Sequence, residues 1–375
     1  MKIAILSCFY PYRGGIAQFN DLLIKELGQE HTVKAYNFSR QYPNFFFPGK
    51  TQFVESYDKA VSKEPNAFLD TANPFSYIKT AKNINKWKPD ILITRYWMSY
   101  FAPSLGYVAR HVSKDCKKIA IIDNVIPHEK HFFDKPLTKY FLKSNDGFIT
   151  LCKTVENDLL SFKADAHIIT TPHPLYCSFG NKIERDKACE LLKLSPDKNN
   201  ILFFGLIRKY KGLDILIKAF SLLNNNYRLI IAGEPYGSFD EYQKLIDASP
   251  NKKNISLYNR YIPDTEVYKY FSASDVCVLP YRSATQSGIS SIAYNFDLPM
   301  ITTSVGGLKE TIGDNGTGII TESEEPEEIA AKIDYYFSND EIRESLINNI
   351  KIEKEKLSWK KFAKKIIELY KTLYK

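Results

Sequence analysis

Two rhythms of apolar and polar residues take turns along this chain. Short, mainly apolar runs occur at Lys2–Phe9, Thr32–Tyr36, Asp90–Thr94, Lys118–Ile122, Gly147–Leu151 and His167–Thr170, and each reads as a buried strand. Between them lie stretches with helical spacing, such as Ile16, Phe19, Leu22, Leu23 and Leu27. A linker stiffened by two prolines follows, Thr171-Pro172-His173-Pro174-Leu175. Strands then resume at Ile201–Phe204, Arg228–Ile231, Ile255–Tyr258, Val276–Leu279 and Pro299–Thr302. Strands that alternate with helices build parallel sheets from βαβ units. The fold class is therefore α/β, with two Rossmann-like, doubly wound domains facing a central cleft. Their predicted bounds are 1–174 and 175–357. A terminal helix over 358–375 carries Trp359, Phe362, Ile366, Ile367, Tyr370 and Leu373 at helical spacing. Ligands of such sheets bind at the carboxyl ends of the strands.

One region breaks the pattern. Between Asn37 and Asn73 no strand–helix alternation is legible, and Phe38, Tyr42, Phe45, Phe46 and Phe47 lie there with Arg40 and Lys50. Long irregular segments in compact domains tend to be lids or binding loops. Aromatics interleaved with cations suit a lipid headgroup layer, and a loop folded on its own domain fits as well. The acidic run Glu322, Glu324, Glu325, Glu327 and Glu328 reads as the first turn of a helix rather than a metal site.

Composition narrows the class. The chain has 375 residues, 44% hydrophobic and 25% charged, which suits two soluble globular domains with cores of their own. The apolar N-terminal run is short, lacks a small-residue cleavage site and turns into Gly14-Gly15, so it reads as a first strand rather than a signal peptide. No stretch approaches the roughly 18–20 apolar residues of a membrane span. The six cysteines form no CxxC pair and no metal spacing, which suits reduced core thiols in a cytoplasmic protein. The net charge of +8 is spread along the chain rather than gathered in a stripe, which argues against a nucleic-acid binder. It suits a phosphorylated acceptor or an anionic membrane surface.

Chemistry concentrates in two places. After the run ending Pro280-Tyr281-Arg282, the segment Ala284–Glu310 has two small-residue turns, Ser287-Gly288 and Gly306-Gly307, each with a helix-like stretch behind it. Such turns expose backbone N–H groups at helix starts, where the helix dipole also favours negative charge. Upstream, Ile201–Phe204 ends at Gly205 and leads into Arg208 and Lys211, which could neutralise phosphate oxygens. Together they suit a diphosphate with a sugar attached.

The segments FFGLIRKYKGLDILIKAF, DVCVLPYRSATQSGISSIAYNFDLPMITTSVGGLKETIGDNGTGII and YRGGIAQFNDLLIKEL resemble glycosyltransferase family 4 over nearly the whole chain, in the family's order. The resemblance implies the GT-B fold, with the terminal helix returning to the N-terminal domain. It also implies transfer of a hexose-type sugar from a nucleotide-diphosphate-sugar with retention of configuration. It places Gly14 and Gly15 at the donor phosphates, with Arg208, Lys211, Ser287 and Gly288. Family members often carry arginine directly after the glycine where this chain has Leu206, so Arg208 takes that part. The family's paired glutamates align with Ala284 and Ile292, which cannot accept hydrogen bonds from sugar or ribose. Gln286-Ser287-Gly288 resembles a variant form of that motif. Glu310, with Gly306, Gly307 and Gln286, is then the candidate set for ribose and sugar. His128, after a buried strand, corresponds to a histidine beside the transferred sugar and joins Arg208 and Lys211 as a catalytic candidate. Arg95, Asp123 and Glu129 are acceptor candidates.

No Asp-x-Asp pair occurs in an acidic strand-end loop, so no catalytic divalent metal is implied, and no cofactor beyond the donor. The leading reading is a cytoplasmic, metal-independent glycosyltransferase. It would act on a glycan or lipid-linked acceptor in polysaccharide or glycoconjugate synthesis, with peripheral contact to an anionic membrane at its inner face. The alternative is a catalytically silent sugar-nucleotide-binding subunit of a glycan-assembly complex. A nucleic-acid-binding protein is a third, disfavoured class.

Overall fold

A computed structural model of the chain describes residues 1–43, 51–54, 66–126, 131–285 and 287–374. The chain divides into two compact units, Met1–Pro174 with Leu357–Lys375, and Leu175–Lys356.

The first unit runs β1 (Lys2–Leu6), α1 (Gly15–Leu27), β2 (Thr32–Arg40), β3 (Asn66–Asp70), α2 (Pro74–Trp87), β4 (Ile91–Tyr96), α3 (Ala102–His111), β5 (Lys117–Ile122), α4 (Asp134–Leu142), β6 (Gly147–Thr150), α5 (Lys153–Phe162) and β7 (Ile168–Thr170). Its parallel sheet has the order β3-β2-β1-β4-β5-β6-β7. The central strands are sealed on both faces, which is why they read as continuous apolar runs: Ile3, Ala4, Ile5 and Leu6 are all essentially inaccessible.

The second unit runs α6 (Arg185–Leu191), β8 (Asn199–Phe204), α7 (Leu213–Ser221), β9 (Tyr227–Ala232), α8 (Asp240–Ala248), β10 (Ile255–Tyr258), α9 (Val267–Ala273), β11 (Val276–Leu279), α10 (Gly288–Asn295), β12 (Met300–Thr303), β13 (Gly318–Thr321), α11 (Pro326–Ser338) and α12 (Asp340–Lys356). Its parallel sheet has the order β10-β9-β8-β11-β12-β13. Strand β13 escapes the hydrophobic pattern because it is only Gly-Ile-Ile-Thr, with polar residues on both sides.

The last helix, α13 (Trp359–Thr372), belongs to the first unit. Ser358 caps it by accepting a hydrogen bond from the Lys361 N–H at 3.2 Å. Its apolar face buries Phe362, Ala363, Ile366 and Leu369. Phe19 of α1 meets Trp359 and Phe362 edge-on, at 4.8 and 5.4 Å between ring centroids. Gly147 lets the helix come close to β6, since a Cβ there would stand 3.2 Å from Leu369 and 3.1 Å from Leu373.

The irregular region between Asn37 and Asn73 needs correcting. Strand β2 continues to Arg40, and β3 pairs beside it through two register shifts. The signal is weak because β3 is a short edge strand and because the buried Asn37 interrupts the apolar run. Asn37 is there for a reason: its side chain accepts from the Phe9 N–H at 3.0 Å and donates to the Phe9 and Tyr10 carbonyls. Phe38 is a core residue with 1% exposure. Arg40 forks onto Asp70 at 2.8 and 2.6 Å. Tyr42 stacks on Tyr100 and accepts from the Trp97 indole at 3.2 Å. Phe38, Asn37 and Tyr42 of this stretch thus pack on their own unit, while Arg40 and Phe53 remain exposed. Phe45, Phe46, Phe47 and Lys50 lie outside the described residues.

The acidic run prepares the start of α11. Glu328 reaches back and accepts from the Glu322 and Ser323 N–H groups at 2.8 and 2.9 Å. Among the described residues no cluster of His, Cys, Asp or Glu could hold a metal ion, and no helix is long and apolar enough to cross a membrane. All six cysteines are free thiols, five of them buried and Cys177 exposed.

Removing the ring that joins α13 to α1 should loosen the first unit. Phe362→Ala is expected to lower its stability by about 3 kcal/mol, read from urea unfolding with Trp359 fluorescence as the probe. A loss below about 1 kcal/mol would show that α13 adds little to this core.

Candidate active site

Three loops meet at the carboxyl edge of the second sheet, and backbone contacts lock them together. The loop after β8 leaves the sheet at Gly205 and runs beside the end of β9. There the Ile207 N–H donates to the Glu234 carbonyl at 2.8 Å, and the Tyr236 N–H donates to the Ile207 carbonyl at 2.9 Å. Lys209–Lys211 form a single tight turn, and Gly212 then starts α7 with φ of 66°. A Cβ on Gly212 would lie 1.9 Å from the Pro280 carbonyl oxygen, a distance no side chain tolerates.

The loop after β11 is fastened to the first. The Arg282 N–H donates to the Tyr210 carbonyl at 2.7 Å. Its guanidinium donates to the Lys209 carbonyl and forks onto Asp214 at 2.8 and 2.6 Å. Burial pushes the Asp214 carboxyl up, but the hydrogen bonds and charge of Arg282 outweigh this and hold it below the usual range. The loop after β12 joins from the other side. Gly306 has φ of 50°, and a Cβ there would fall 1.6 Å from the Ala284 carbonyl oxygen. The Gly307 N–H donates to the Thr285 carbonyl at 3.1 Å.

This frame converges on one spot. A Cβ placed on Gly205 would touch both the Lys211 ammonium, at 3.4 Å, and Ile289 in the first turn of α10, at 3.1 Å. The Lys211 ammonium lies 5.7 Å from the centre of the Tyr281 ring. The Tyr281 hydroxyl is in turn 3.3 Å from the Ser287 hydroxyl. Ser287 precedes α10 in extended conformation, and its side chain does not cap the helix. The first N–H groups of a helix have no intrahelical acceptors, and the helix dipole makes this end positive. A lysine and a helix start therefore flank the same glycine. Burial, then the neighbouring charge of Arg208, lowers the Lys211 ammonium from 10.5 to about 8. The Arg208 guanidinium lies over the Tyr236 ring, 3.7 Å from its centre. Two cations so arranged beside a helix start make a site suited to an anion.

Residues 185–353 match the family model described as glycosyl transferases group 1. An uncharacterised glycosyltransferase of Methanocaldococcus jannaschii is 26% identical, covering 100% of this chain and 99% of its own. A D-inositol 3-phosphate glycosyltransferase of Corynebacterium urealyticum is 25% identical over 52% of this chain and 48% of its own. Among solved structures, sucrose-phosphate synthase from Thermosynechococcus elongatus aligns with a TM-score of 0.76 at 16% identity, covering 100% of this chain and 99% of that one. The Anabaena protein HepE in complex with UDP gives 0.76 at 12% identity, covering 99% and 100%. The fold is GT-B.

Within this GT-B chain, the structure brings Arg208, Lys211, Ser287 and Gly288 together on the second unit. Gly306 and Gly307 take part in packing the loop after β12 on the loop after β11, as the contacts above show. Glu310 is half-buried, in a single wide turn of helix over Lys309–Gly313. Ala284 and Ile292 are buried apolar positions, at 7% and 5% exposure. Gln286, His128 and Glu129 lie outside the described residues.

On the first unit, Gly14 precedes α1 with φ of 109°, Gly15 opens the helix, and nothing lies within 4 Å of where a Gly14 Cβ would be. Arg95 and Asp123 are brought together, but chiefly for each other. Arg95 is 3% exposed, forks onto Asp123 at 2.7 and 2.6 Å, and lies 3.8 Å over the ring of Phe19. His173 meets the same ring from the linker, where burial, then Arg95, lowers its imidazole to about 4.

Sequence reading missed the supports of the site: Asp214 and Arg282, which fasten the loops, and Tyr236, which carries Arg208. Tyr236 had a signal, since Gly233-Glu234-Pro235-Tyr236 is a turn at the carboxyl end of a parallel strand. The Asp214–Arg282 pair had none, because the partners are 68 residues apart.

Lys211 should cost stability in the empty protein. Its pKa is depressed in the folded state, so folding opposes its charged form below about pH 8, and this penalty fades as pH rises towards 10.5. Lys211→Met is therefore expected to raise stability by about 2 kcal/mol at neutral pH, with the gain shrinking between pH 8 and 10.5. Urea melts of both proteins across that range check it, and a pH-independent difference would refute the buried ammonium.

Proposed function

We propose that this chain is a retaining glycosyltransferase. It takes a hexose-type sugar from a nucleotide-diphosphate-sugar and places it on a hydroxyl of a glycan or lipid-linked acceptor in surface polysaccharide or glycoconjugate synthesis. The observation that carries the reading is the meeting of the Lys211 ammonium and the first turn of α10 at Gly205. The group 1 family match over the same segment and a neighbour in complex with UDP support a nucleotide-sugar as donor.

The chemistry follows from charge. As the bond between the anomeric carbon and the phosphate oxygen breaks, negative charge grows on the departing diphosphate. Lys211, Arg208 and the N–H groups at Ser287-Gly288 meet that charge with fixed positive potential, and such groups act most where charge develops. The acceptor oxygen bonds to the anomeric carbon on the face the diphosphate leaves. Its proton passes to a departing phosphate oxygen, so no enzyme nucleophile and no divalent metal are required. Glu310 is proposed to hold ribose hydroxyls in place of the carboxylates absent at Ala284 and Ile292.

A panel of nucleotide-sugars tested for slow donor hydrolysis identifies the donor, and NMR of the first product fixes the anomeric outcome. Lys211→Ala is expected to lower turnover by about 100-fold or more while the fold persists, and Arg208→Ala to act in the same direction. Wild-type turnover in a folded Lys211→Ala protein would overturn the phosphate role. Donor binding with no hydrolysis or transfer by the wild type would instead favour a silent sugar-nucleotide-binding subunit.

A further inference from the structure

One face of the first unit remains unexplained by glycosyl transfer. Helices α2, α3 and α4 pack side by side on the sheet. Their outer surface holds a shallow apolar groove lined by Pro74, Ile78, Pro103, Tyr107, Leu137 and Tyr140. On the segments that lead into these helices, large apolar side chains stand in solvent: Phe75 is 80% exposed and Phe132 is 95% exposed. Met98 and Phe133 are each 39% exposed. These residues all follow the carboxyl ends of β3, β4 or β5, and because the strands are parallel they share one edge of the unit. Isolated exposed apolar residues are ordinary, but a cluster beside an apolar groove marks an interaction surface.

The charge on this face is one-sided. Exposed Lys79, Lys82 and Lys86 run along α2, spaced as neighbours on one helix face, and Lys135 and Lys139 are exposed on α4. Across the three helices the sequence contains a single acid, Asp134. It is buried, and it accepts hydrogen bonds from the Ser99 hydroxyl and the His131 N–H. No exposed carboxylate on these helices offsets the lysines.

We propose that the α2–α3–α4 face of the first unit docks on an anionic lipid bilayer, with Phe75 and Phe132 entering the headgroup layer and the α2 and α4 lysines meeting lipid phosphates. The side-chain types favour lipid over nucleic acid. Its lysines would meet phosphates of either kind, and what points to lipid is the exposed Phe75 and Phe132 with the apolar groove, which suit a headgroup layer. Arg110, the arginine of these helices, is occupied with the Ser144 hydroxyl at 2.9 Å and the Tyr140 ring at 4.5 Å. Apolar and aromatic tips beside lysines are the pattern of a surface-lying amphipathic element, in which lysine stems lie along the apolar zone. The docking face is distinct from the Phe38–Tyr42 stretch, which belongs to β2 and the segment just after it. It also does not rest on the transfer reaction, since neither the donor nor the second unit enters the argument.

Full-length protein is mixed with vesicles of phosphatidylcholine alone, or of phosphatidylcholine with about 30% phosphatidylglycerol, at about 50 mM salt, where the Debye length is still over 10 Å. The protein is expected to pellet with the anionic vesicles only, and to be released at about 500 mM salt. Reversing Lys79, Lys82 and Lys86 to Glu should lower the partition coefficient by about 100-fold or more, each lysine near the surface being worth roughly fivefold. The double variant Phe75→Ser and Phe132→Ser should lower it by about 10-fold while leaving the salt dependence in place. Melting temperature and UDP binding, read on the same samples, separate loss of docking from misfolding and from failure of the donor site. Protein that stays in the supernatant with both vesicles at low salt, equal binding to neutral vesicles, or wild-type partition of the triple variant would each overturn the proposal. Salt-sensitive binding to single-stranded RNA without vesicle binding would assign the face to nucleic acid instead.

Discussion

Close backbone packing at Gly212 and Gly306 is the constraint on which the candidate site depends. At each position the chain presses directly on a carbonyl of the loop after β11, at Pro280 and Ala284, leaving no room for a Cβ. Both glycines also hold positive φ. A side chain at either would force two loops apart, and the loops carry every described cation and helix start of the site. Arg282 and Asp214 then fasten what the glycines allow, since a forked ion pair restrains orientation as well as distance. Precision at the carboxyl edge of the second sheet thus comes from main chain against main chain, with side chains as clamps. A site built this way is held by its own main chain.

That rigidity explains how Lys211 tolerates its surroundings. An ammonium half-buried beside Tyr281, with Arg208 repelling it, is disfavoured in the empty protein. Folding the rest of the unit holds it there against that penalty, and an arriving anion would relieve it. Strain of this kind collects at functional sites and is compensated by the surrounding core. Here the compensation is visible in β8 and β11, whose apolar residues are almost entirely inaccessible.

The first unit works by a different arrangement. The deeply buried cation Arg95 is matched by Asp123 and lies over the ring of Phe19, and the same ring receives His173 from the linker and Trp359 and Phe362 from α13. Phe19 therefore ties the start of the unit to its two later segments. Exposed lysines with no exposed acid beside them on their own helices lie outside, on α2 and α4. Buried pairing and exposed excess are separate features of one unit.

The sequence by itself determined the fold class and most of the strand plan. Central parallel strands must be apolar on both faces, so Ile3–Leu6, Ile91–Ile93 and Leu229–Ile231 announce themselves without any partner. It also marked Lys211, Arg208 and Ser287-Gly288, because cations and small residues at strand ends are local features. Tertiary structure alone decided what is non-local. The edge strand β3 and the four-residue β13 are defined by their pairing with β2 and β12 rather than by their own composition. The Asp214–Arg282 staple, the contacts that occupy Gly306 and Gly307, and the burial of Phe38 and Arg95 depend on segments far apart in the chain. So does the acid-free face of α2, α3 and α4, because hydrophobic periodicity tells which side of a helix is buried but not which helices stand together on the surface.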